Sequence, residues 1–517
     1  MRARQAAALA ALVLPLAAGG FIVGRASRAD GYELFRSVIS VLANEGIDSL
    51  SADSLFRLAS RGLVAAVDDP YAELFSPQDF ARFSRNTLQN RYGGIGLRII
   101  RMRGAVTVFR VIPGGPAGEA GVQRGDRIEA VNDSVATDWT TDRASNTLTG
   151  QPGTSVRVTF GRPRSGERYT VELTRRIITV QTVPFVATLE GGIGYIPLPR
   201  SFSDHSAGEV AEAAQRLSAA GARGLILDLR GNPGGSLEQA VALANVFLPQ
   251  GQPVVRVRYR RQDDTLRGDR APVVRSELPM VVLVDSASAS ASEIVAGALQ
   301  DYDRAVLIGT TSFGKGLVQG AYNLPEGWVL RVTTGHWFTP SGRLIQRQRG
   351  DTLPGVVRPA FRSRAGRTVF GGGGITPDLF AYADTTASGD RALNRWLNER
   401  GGAIARQVLD DYLAELEPEA TPTFMIAPAW RQEYVTRLRA AGLPVPDSLV
   451  AGGATFLDRL IDINLSNLAL SDSATFVRNV PRDSQLARAT ALLRRAGTQT
   501  ELFATLDRTN RQAQRTP

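Results

Sequence analysis

The stretch MVVLVDSASASASE, residues 280–293, passes from five apolar residues into a turn that contains four serines. A short apolar run bounded by polar residues is typical of a strand that is buried on both faces. Beyond the turn, apolar residues such as Ile294 and Ala298 recur at helical spacing. The stretch therefore predicts a buried strand, a serine-rich turn and a helix.

Two more apolar runs end in unusual loops. One is GLILDLRGNPGG, residues 224–235, which leads into a helix, and the other is AVLIGTTSFGKG, residues 305–316. Strands that alternate with helices predict an α/β core with parallel sheet elements. Since the carboxyl ends of parallel strands lie at one edge of a sheet, we expect the serine turn and both glycine loops to share one crevice.

The third junction contains Lys315, the only lysine of the chain, and every other one of the 60 basic residues is an arginine. Arginine cannot lose its proton near neutral pH, whereas a lysine amine can when its environment favours the neutral form. Lys315 is therefore the first candidate for a general base. A serine, an amine and a glycine loop are the groups that acyl transfer needs, although the residue types alone do not choose among the four serines.

The composition excludes several other kinds of site. With 517 residues, 43% of them hydrophobic, the chain can fold into several domains. Cysteine is absent, which excludes disulfides, thiolate metal sites and cysteine nucleophiles. The two histidines, His205 and His336, cannot form a multi-histidine metal cage, so we predict no metal and no cofactor. The net charge of +10 comes from scattered arginines, and we predict no nucleic-acid partner.

The N-terminus has the pattern of an export segment. Arg2 and Arg4 precede an apolar run over residues 6–23, and two arginines follow it. Residues 1–30 are therefore predicted to be a signal peptide or a single membrane anchor. We expect the protein to be exported to the periplasm or another extracytoplasmic space, either soluble or anchored to the inner membrane.

The rest of the chain divides by its periodicity. Helical spacing predicts an N-terminal helical domain over residues 31–90, and short strands punctuated by glycine predict a β-rich module over residues 91–177. The α/β core follows over residues 178–385, with an inserted loop at about 347–373. Residues 386–517 are predicted to be helical. These helices pack within the chain, or they contact a second subunit or an adaptor.

Two other motifs overlap Lys315. Residues 309–315 have the Gly-x-x-x-x-Gly-Lys spacing of a phosphate-binding loop, but Gly316 stands where a hydroxyl would hold Mg²⁺, and extended chain follows instead of a helix. Ser312 and Lys315 have the Ser-x-x-Lys spacing of penicillin-binding enzymes, but the glycines at 314 and 316 oppose the helix which that motif needs. Both alternatives fit the sequence less well than a serine–lysine pair.

The β-rich module resembles a PDZ domain. The loop Gly93-Gly94-Ile95-Gly96-Leu97 is similar to the carboxylate-binding turn of that family, and residues 115–128, GPAGEAGVQRGDRI, are similar to its middle part. Converging backbone N–H groups suit a terminal carboxylate, and the strand that follows suits a peptide added to the sheet edge. The resemblance implies that this module binds protein C-termini.

The chain from about 32 to 380 resembles the C-terminal processing peptidases, which are exported serine proteases with a PDZ domain and a Ser-Lys catalytic pair. The features that carry the resemblance are the PDZ module, DLRGNPGG at 228–235, SASASE at 288–293, FGKGLVQ at 313–319 and TPSGR at 339–343. The resemblance implies that Ser290 is the nucleophile, Lys315 the base and Gln319 the residue that orients the lysine.

The same resemblance implies an oxyanion pocket made by backbone N–H groups of Ala291 and of the Gly234-Gly235 turn. Lys315 must be neutral to accept a proton, so we expect it to be buried among apolar groups such as Phe313 and Val318. Ser288 or Ser292 is expected to cap the following helix. Asp228 and Arg230 are expected to form an ion pair that holds the glycine loop, or a surface pair without function.

The resemblance implies an endopeptidase that hydrolyses proteins near their C-termini, and its partners are protein substrates with exposed C-termini. A catalytically silent PDZ scaffold is the main alternative, and a P-loop nucleotidase is a second. The lone lysine beside a serine turn argues against the scaffold, and Gly316 argues against the nucleotidase.

Overall fold

The computed structural model describes residues 31–48, 50–84, 90–163, 165–348, 357–382 and 387–515. The predicted export segment lies outside the described residues, as does part of the predicted inserted loop. The chain forms two compact units, one of residues 1–80 with 319–333 and the other of residues 81–318 with 334–517.

None of the described helices combines the length and the apolar character needed to cross a membrane.

The smaller unit begins with two helices, α1 (Gly31–Glu45) and α2 (Ala52–Ala66), which are followed by strand β1 (Glu73–Phe75). Helix α2 starts where the Ser51 side chain accepts a hydrogen bond from the Ser54 N–H, which satisfies one free donor of the first turn. Strand β1 pairs antiparallel with residues 329–331. Both helices leave large apolar side chains exposed: Leu34, Phe35, Val38, Val41, Phe56, Leu58 and Leu63.

The β-rich module, preceded by α3 (Pro77–Phe83), is a sheet closed by short helices. Its elements are β2 (Arg91–Gly94), β3 (Leu97–Met102), β4 (Ala105–Val111), α4 (Pro116–Glu119), β5 (Arg127–Val131), β6 (Ser134–Val135), α5 (Thr141–Leu148), β7 (Ser155–Arg162), β8 (Glu167–Thr174) and β9 (Arg176–Thr179). The main sheet has the order β3-β4-β5-β7-β8, and β2 pairs with β9. Strand β3 is therefore an edge strand. Alternating apolar residues on β4 and β7, among them Val106, Val108 and Val158, form the buried core.

The α/β core is built on a six-stranded mixed sheet. The core contains β10 (Ala187–Leu189), β11 (Ile193–Pro197), α6 (Ser206–Ala219), β12 (Gly224–Asp228), α7 (Leu237–Asn245), β13 (Pro253–Tyr259), β14 (Asp263–Arg267), β15 (Met280–Val284), α8 (Ala291–Asp301), β16 (Val306–Gly309), β19 (Ala360–Arg362), β20 (Thr368–Phe370) and β21 (Leu379–Phe380). Between β16 and β19 the chain forms β17 (Leu317–Asn323) and β18 (Val329–Phe338), whose residues 319–333 belong to the smaller unit. The sheet order is β10-β11-β12-β15-β16-β21, in which only β10 runs antiparallel to its neighbour. Strands β12, β15 and β16 are buried throughout because both faces of the sheet are covered, and Asp228 at the end of β12 is their one polar residue.

The C-terminal region is helical, with α9 (Ser388–Leu416), α10 (Pro428–Ala440), α11 (Asp447–Gly452), α12 (Ala454–Ala469), α13 (Asp472–Asn479), α14 (Ser484–Leu493) and α15 (Gln499–Arg515). Helices α9, α10 and α12 share a core of their own that includes Leu409, Tyr434 and Leu465. Helices α14 and α15 instead cover the face of the six-stranded sheet opposite α6, α7 and α8, through Leu486, Leu493 and Leu502. The end of the chain is thus part of the α/β core.

The C-terminal helices also contact the β-rich module on its β3–β4 hairpin. The Arg103 N–H donates to the Asp411 carboxylate at 2.7 Å, and Arg110 pairs with Asp472 at 2.8 Å. Phe109 packs against the core of α9, α10 and α12. The hairpin that contains the edge strand β3 is therefore held by carboxylates of the C-terminal region.

Candidate active site

The three strand ends singled out from the sequence lie at one edge of the sheet. Asp228 at the end of β12 is opposite Leu283 of β15, and Val284 at the end of β15 is opposite Gly309 of β16. Because these pairings are parallel, the serine turn and both glycine loops leave the sheet at its carboxyl edge. The predicted juxtaposition of the three loops is found in the structure.

Ser290 immediately precedes helix α8 and has backbone angles φ 54° and ψ −114°. A positive φ is uncommon for a residue with a side chain, and such strained residues cluster at functional sites. The strain is held by a hydrogen bond at 2.8 Å from the Ser290 N–H to the carboxylate of Glu293 in the first turn of α8.

Glu293 joins the serine turn to the lysine loop. Its side chain is fully buried, and its Oε2 atom accepts the N–H of Ser290 at 2.8 Å and the N–H of Lys315 at 2.9 Å. Its Oε1 atom accepts the Ser312 hydroxyl at 2.5 Å and the Gly314 N–H at 2.7 Å. Burial raises the pKa of Glu293, and these four hydrogen bonds oppose that rise. One oxygen atom therefore brings the backbone nitrogen atoms of Ser290 and Lys315 within two hydrogen-bond lengths of each other.

The loop that contains Lys315 is fixed by further contacts. The fully buried Trp337 donates its indole N–H to the Lys315 carbonyl at 3.0 Å, and the Gly316 N–H donates to Gln346 at 2.8 Å. Lys315 is half-buried, but Phe313 is 44% exposed. The expectation that Phe313 shields the lysine is therefore wrong, because its ring turns to solvent and the backbone of the loop faces the protein.

The structure also excludes the two rival motifs. Strand β17 follows Lys315, so there is no helix whose N-terminus could hold a phosphate. Residues 311–316 are not helical, so Ser312 does not stack on Lys315 as a Ser-x-x-Lys motif requires. The Ser312 hydroxyl instead bonds to Glu293 and accepts the Ile375 N–H at 2.6 Å.

The other serines of the turn have different tasks. The Ser288 hydroxyl donates to the Leu229 carbonyl at 2.8 Å, and the Ser292 hydroxyl donates to the Asn232 side-chain oxygen at 2.9 Å. The expectation that Ser288 or Ser292 caps α8 is wrong, since both hydroxyls hold the glycine loop. Ser286 is exposed. Ser290 remains as the serine at the helix start.

The glycine loop after β12 lies directly against Ser290. A Cβ atom added to Gly234 would lie 2.9 Å from Ser290 Cβ and 2.8 Å from the Ala291 nitrogen. The Gly234 N–H donates to the Asn232 side chain at 2.8 Å. The prediction of Gly234 as an oxyanion donor is therefore wrong for this conformation, because its N–H is already bonded. The N–H groups of Gly235 and Ala291 stay the predicted donors.

Arg230 is held more firmly than a surface ion pair. Its guanidinium contacts Asp228 at 2.6 Å and Asp483 at 2.7 Å, and Tyr195 donates to Asp228 at 2.8 Å. Burial alone would raise the pKa of Asp483, but the hydrogen bond and charge of Arg230 outweigh it and hold the pKa below its usual value. Asp483 caps helix α14, so the C-terminal helices reach the glycine loop. No local motif indicates this contact, because 253 residues separate the two partners.

The β-rich module has a groove of about 220 Å³ between β3 and α5. Its lining includes Ile95, Gly96, Leu97 and Leu148. The carbonyls of Ile95 and Gly96 accept hydrogen bonds from the following segment at 2.9 Å, whereas their N–H groups donate to no residue that the structure describes. These N–H groups are thus open to a ligand carboxylate at the apolar end of the groove.

Gly93 and Gly94 do not line this groove. They belong to β2 and pair with Ile177 and Arg176 of β9. A Cβ at Gly93 would lie 2.0 Å from the Gly150 carbonyl, so the missing side chain allows close backbone packing. The role of both glycines in peptide binding stays a prediction, and the structure shows only that they pair with β9.

The remaining candidates for the site are Gln319 and the two histidines. Gln319 lies on β17 in the smaller unit, and its side chain donates to the Tyr71 carbonyl at 3.2 Å. Its role toward Lys315 stays a prediction. His205 at the start of α6 and His336 on β18 are both exposed. Among the described residues, no cluster of three or more histidines and carboxylates could hold a metal ion.

Comparison with known proteins agrees with the geometry. The model described as peptidase family S41 matches residues 192–356, and a PDZ domain model matches residues 107–162. The carboxy-terminal-processing protease of Bartonella bacilliformis is 36% identical over 56% of this chain and 67% of its own length. The carboxy-terminal processing protease CtpA of Bacillus subtilis is 31% identical over 65% of this chain and 72% of its own. The carboxyl-terminal-processing protease of Picosynechococcus is 35% identical over 54% of this chain and 67% of its own length.

The fold and the site define a serine-type endopeptidase that carries a PDZ domain. The matched core contains the serine turn, both glycine loops and the lysine. The chain belongs to peptidase family S41.

Proposed function

We propose that this chain is an exported carboxy-terminal processing peptidase in which Ser290 is the nucleophile and Lys315 the general base. The observation that carries the proposal is the single Glu293 oxygen that accepts both backbone N–H groups of these residues, at 2.8 and 2.9 Å. The printed names of the relatives, which describe processing at carboxyl termini, support the type of substrate.

The proposed reaction is acyl transfer to serine followed by hydrolysis. The neutral Lys315 amine takes the proton of the Ser290 hydroxyl while the serine oxygen attacks the scissile carbonyl. Lys315 then returns that proton to the leaving amine. The N–H groups of Ala291 and Gly235 face the developing oxyanion. Water then attacks the acyl carbonyl and gives a proton to Lys315. The bond between the acyl carbon and the Ser290 oxygen breaks, Lys315 returns the proton to that oxygen, and the new carboxyl terminus is released.

Substrate recognition uses the groove of the PDZ domain. The free N–H groups of Ile95 and Gly96 suit a terminal carboxylate, and Leu97 and Leu148 suit an apolar last side chain. Strand β3 is an unpaired sheet edge on the groove side, so a substrate strand can extend the sheet there. The preferred substrate is a protein with an unfolded, apolar C-terminus.

Export and assembly are further parts of the proposal. Residues 1–30 act as a cleaved signal or as a retained anchor of the inner membrane, which the N-terminal sequence of the purified native protein distinguishes. The exposed apolar side chains of α1 and α2 suit contact with a second copy of the chain or with an adaptor. Sedimentation of the purified protein, alone and with two of these leucines changed to aspartate, tests the contact.

The experiment that tests the catalytic proposal is digestion of an unstructured protein with an apolar C-terminus. Ser290→Ala should abolish cleavage and leave the melting temperature unchanged within a few degrees. Ser286→Ala, in the same turn but exposed, should cleave at the wild-type rate. Equal activity of Ser290→Ala and Ser286→Ala would show that the nucleophile lies elsewhere.

A further inference from the structure

Glu293 combines two features that rarely occur together in a structural carboxylate. It is fully buried, and all four of its hydrogen bonds come from the serine turn and the lysine loop. Within the part of the chain that the structure describes, no arginine donates to it, and the donors are three backbone N–H groups and one hydroxyl. Burying a carboxylate without a counter-ion is costly, and the arrangement persists only where the surrounding structure enforces it.

We propose that Glu293 is a positioning residue, whose Oε2 atom sets the separation between Ser290 and Lys315 by accepting one N–H from each. The proposal rests on the proposed function, since it gives these two residues their catalytic roles. Glu293 does not touch the substrate; it acts through the backbone of both residues.

The geometry indicates why a carboxylate is needed. Each oxygen accepts two donors, and every donor is a fixed backbone N–H or the hydroxyl of Ser312. A glutamine would place an NH₂ group against one pair of N–H or O–H donors, whichever way its amide turned. Either the Ser290–Lys315 pair or the Ser312–Gly314 pair would then be pushed apart.

The positive φ of Ser290 adds a second reason. A φ of 54° is unfavourable for serine, so Ser290 keeps this backbone conformation only if another contact holds it. The hydrogen bond of its N–H to Glu293 supplies that restraint, and the same oxygen fixes the lysine loop. Loss of the carboxylate would release both residues together.

A matched control exists within the chain. The Oε2 atom of Glu209 also accepts two backbone N–H groups, from Thr182 at 2.6 Å and Val183 at 2.8 Å. Glu209 lies on α6, and its two bonds hold a segment before β10. Glu209→Gln therefore repeats the chemical change at a glutamate that contacts neither Ser290 nor Lys315.

The test compares Glu293→Gln and Glu209→Gln in the purified full-length protein. We expect kcat of Glu293→Gln to fall about 10²-fold, the loss that a misplacement of about 1 Å causes, with KM within about threefold. Glu209→Gln should keep kcat within about threefold. Equal loss of kcat in both variants, or wild-type kcat in a folded Glu293→Gln, would overturn the proposal.

A second measurement does not depend on peptidase activity. Since Lys315 is the only lysine, reductive methylation followed by peptide mass spectrometry measures its reactivity without interference from other side-chain amines. We expect the rate of Lys315 methylation at a fixed pH to rise in Glu293→Gln, because the released loop makes the amine more accessible, and to stay unchanged in Glu209→Gln. An unchanged methylation rate in Glu293→Gln would overturn the positioning role even if the wild type showed no peptidase activity.

Glu293→Asp keeps the experiment decisive if Glu293→Gln does not fold. Aspartate keeps the charge but is one CH₂ group shorter, so its oxygen cannot reach both N–H groups at hydrogen-bond length. We expect a folded protein with kcat reduced at least tenfold and faster methylation of Lys315 at a fixed pH. Full activity of Glu293→Asp would show that the buried charge alone is needed, and would refute the proposed spacing role.

Discussion

Gly234→Ala should inactivate the enzyme by displacing Ser290. The new Cβ would lie 2.6 Å from the Ala289 carbonyl, 2.8 Å from the Ala291 nitrogen and 2.9 Å from Ser290 Cβ, whereas ordinary contacts begin at 3.4 Å. The serine turn must therefore move by on the order of half an ångström or more. Since a misplacement of about 1 Å can cost 10²-fold in rate, we expect kcat to fall about 10- to 100-fold.

Gly231→Ala is the matched control in the same loop. Gly231 also has a positive φ, 70° against 95° for Gly234, but a Cβ added there would meet nothing within 4 Å. Both variants have the backbone cost of a left-handed alanine, about 1–2 kcal/mol, so they should lose similar stability from this source. Only Gly234→Ala brings a methyl group against Ser290.

The assay measures kcat on a peptide with an apolar C-terminus, together with urea denaturation of both variants. Gly231→Ala should keep kcat within about threefold of wild type. If Gly234→Ala were as active as Gly231→Ala, the close packing of the glycine loop on Ser290 would have no role in catalysis.

Three other predictions concern the base, the groove and the buried charges. Lys315→Arg should lower kcat on the order of 10²–10⁴-fold with the fold intact, because guanidinium does not deprotonate; near-normal kcat would refute the base assignment. Amidation of a substrate's terminal carboxylate should weaken binding to the PDZ groove in calorimetry, and equal affinity would show that the groove does not read the carboxylate. Asp301→Ala should lower the free energy of unfolding by about 3–5 kcal/mol in urea, since it leaves the fully buried Arg343 without its partner at 2.5 Å. An unchanged unfolding midpoint would contradict that pairing.

A fifth prediction concerns pH. The pKa of Asp483 is lowered in the folded protein, so its contribution to stability is fully present above the unfolded value of about 3.9 and is lost as pH falls through the lower folded value. Asp483→Asn should therefore be less stable than wild type at pH 7, and the difference should disappear in acid. A stability difference that is constant from pH 7 to pH 2 would contradict the pairing with Arg230.

The sequence predicts the parts of this protein that depend on local pattern. Apolar runs such as residues 280–284 predict the buried strands. The serine- and glycine-rich loops that follow these runs predict which edge of the sheet carries the site. The PDZ domain is predicted by the resemblance of residues 93–97 and 115–128 to that family. These signals suffice because burial on both faces requires a continuous apolar strand.

The rest depends on contacts that have no local signature. Glu293 ends a quoted motif, yet a glutamate in a helix's first turn is usually interpreted as a solvated cap and not as a buried bridge. Asp483 contacts Arg230 although 253 residues of sequence separate them. The Gly234 N–H is bonded to a side chain two residues earlier, which residue types alone do not reveal. Contacts between residues far apart in the sequence, and the partners of individual N–H groups, therefore cannot be predicted from local sequence patterns.

The position of α14 and α15 on the sheet has a consequence for the order of assembly. Strands β12, β15 and β16 are complete before residue 310, but the leucines that cover their second face and the carboxylate that completes the Arg230 cluster come after residue 480. The residues after 480 must therefore be present before the core can close. A chain cut before residue 480 would leave the second face of the sheet uncovered and Arg230 without Asp483, so the glycine loop beside the nucleophile would lose its support.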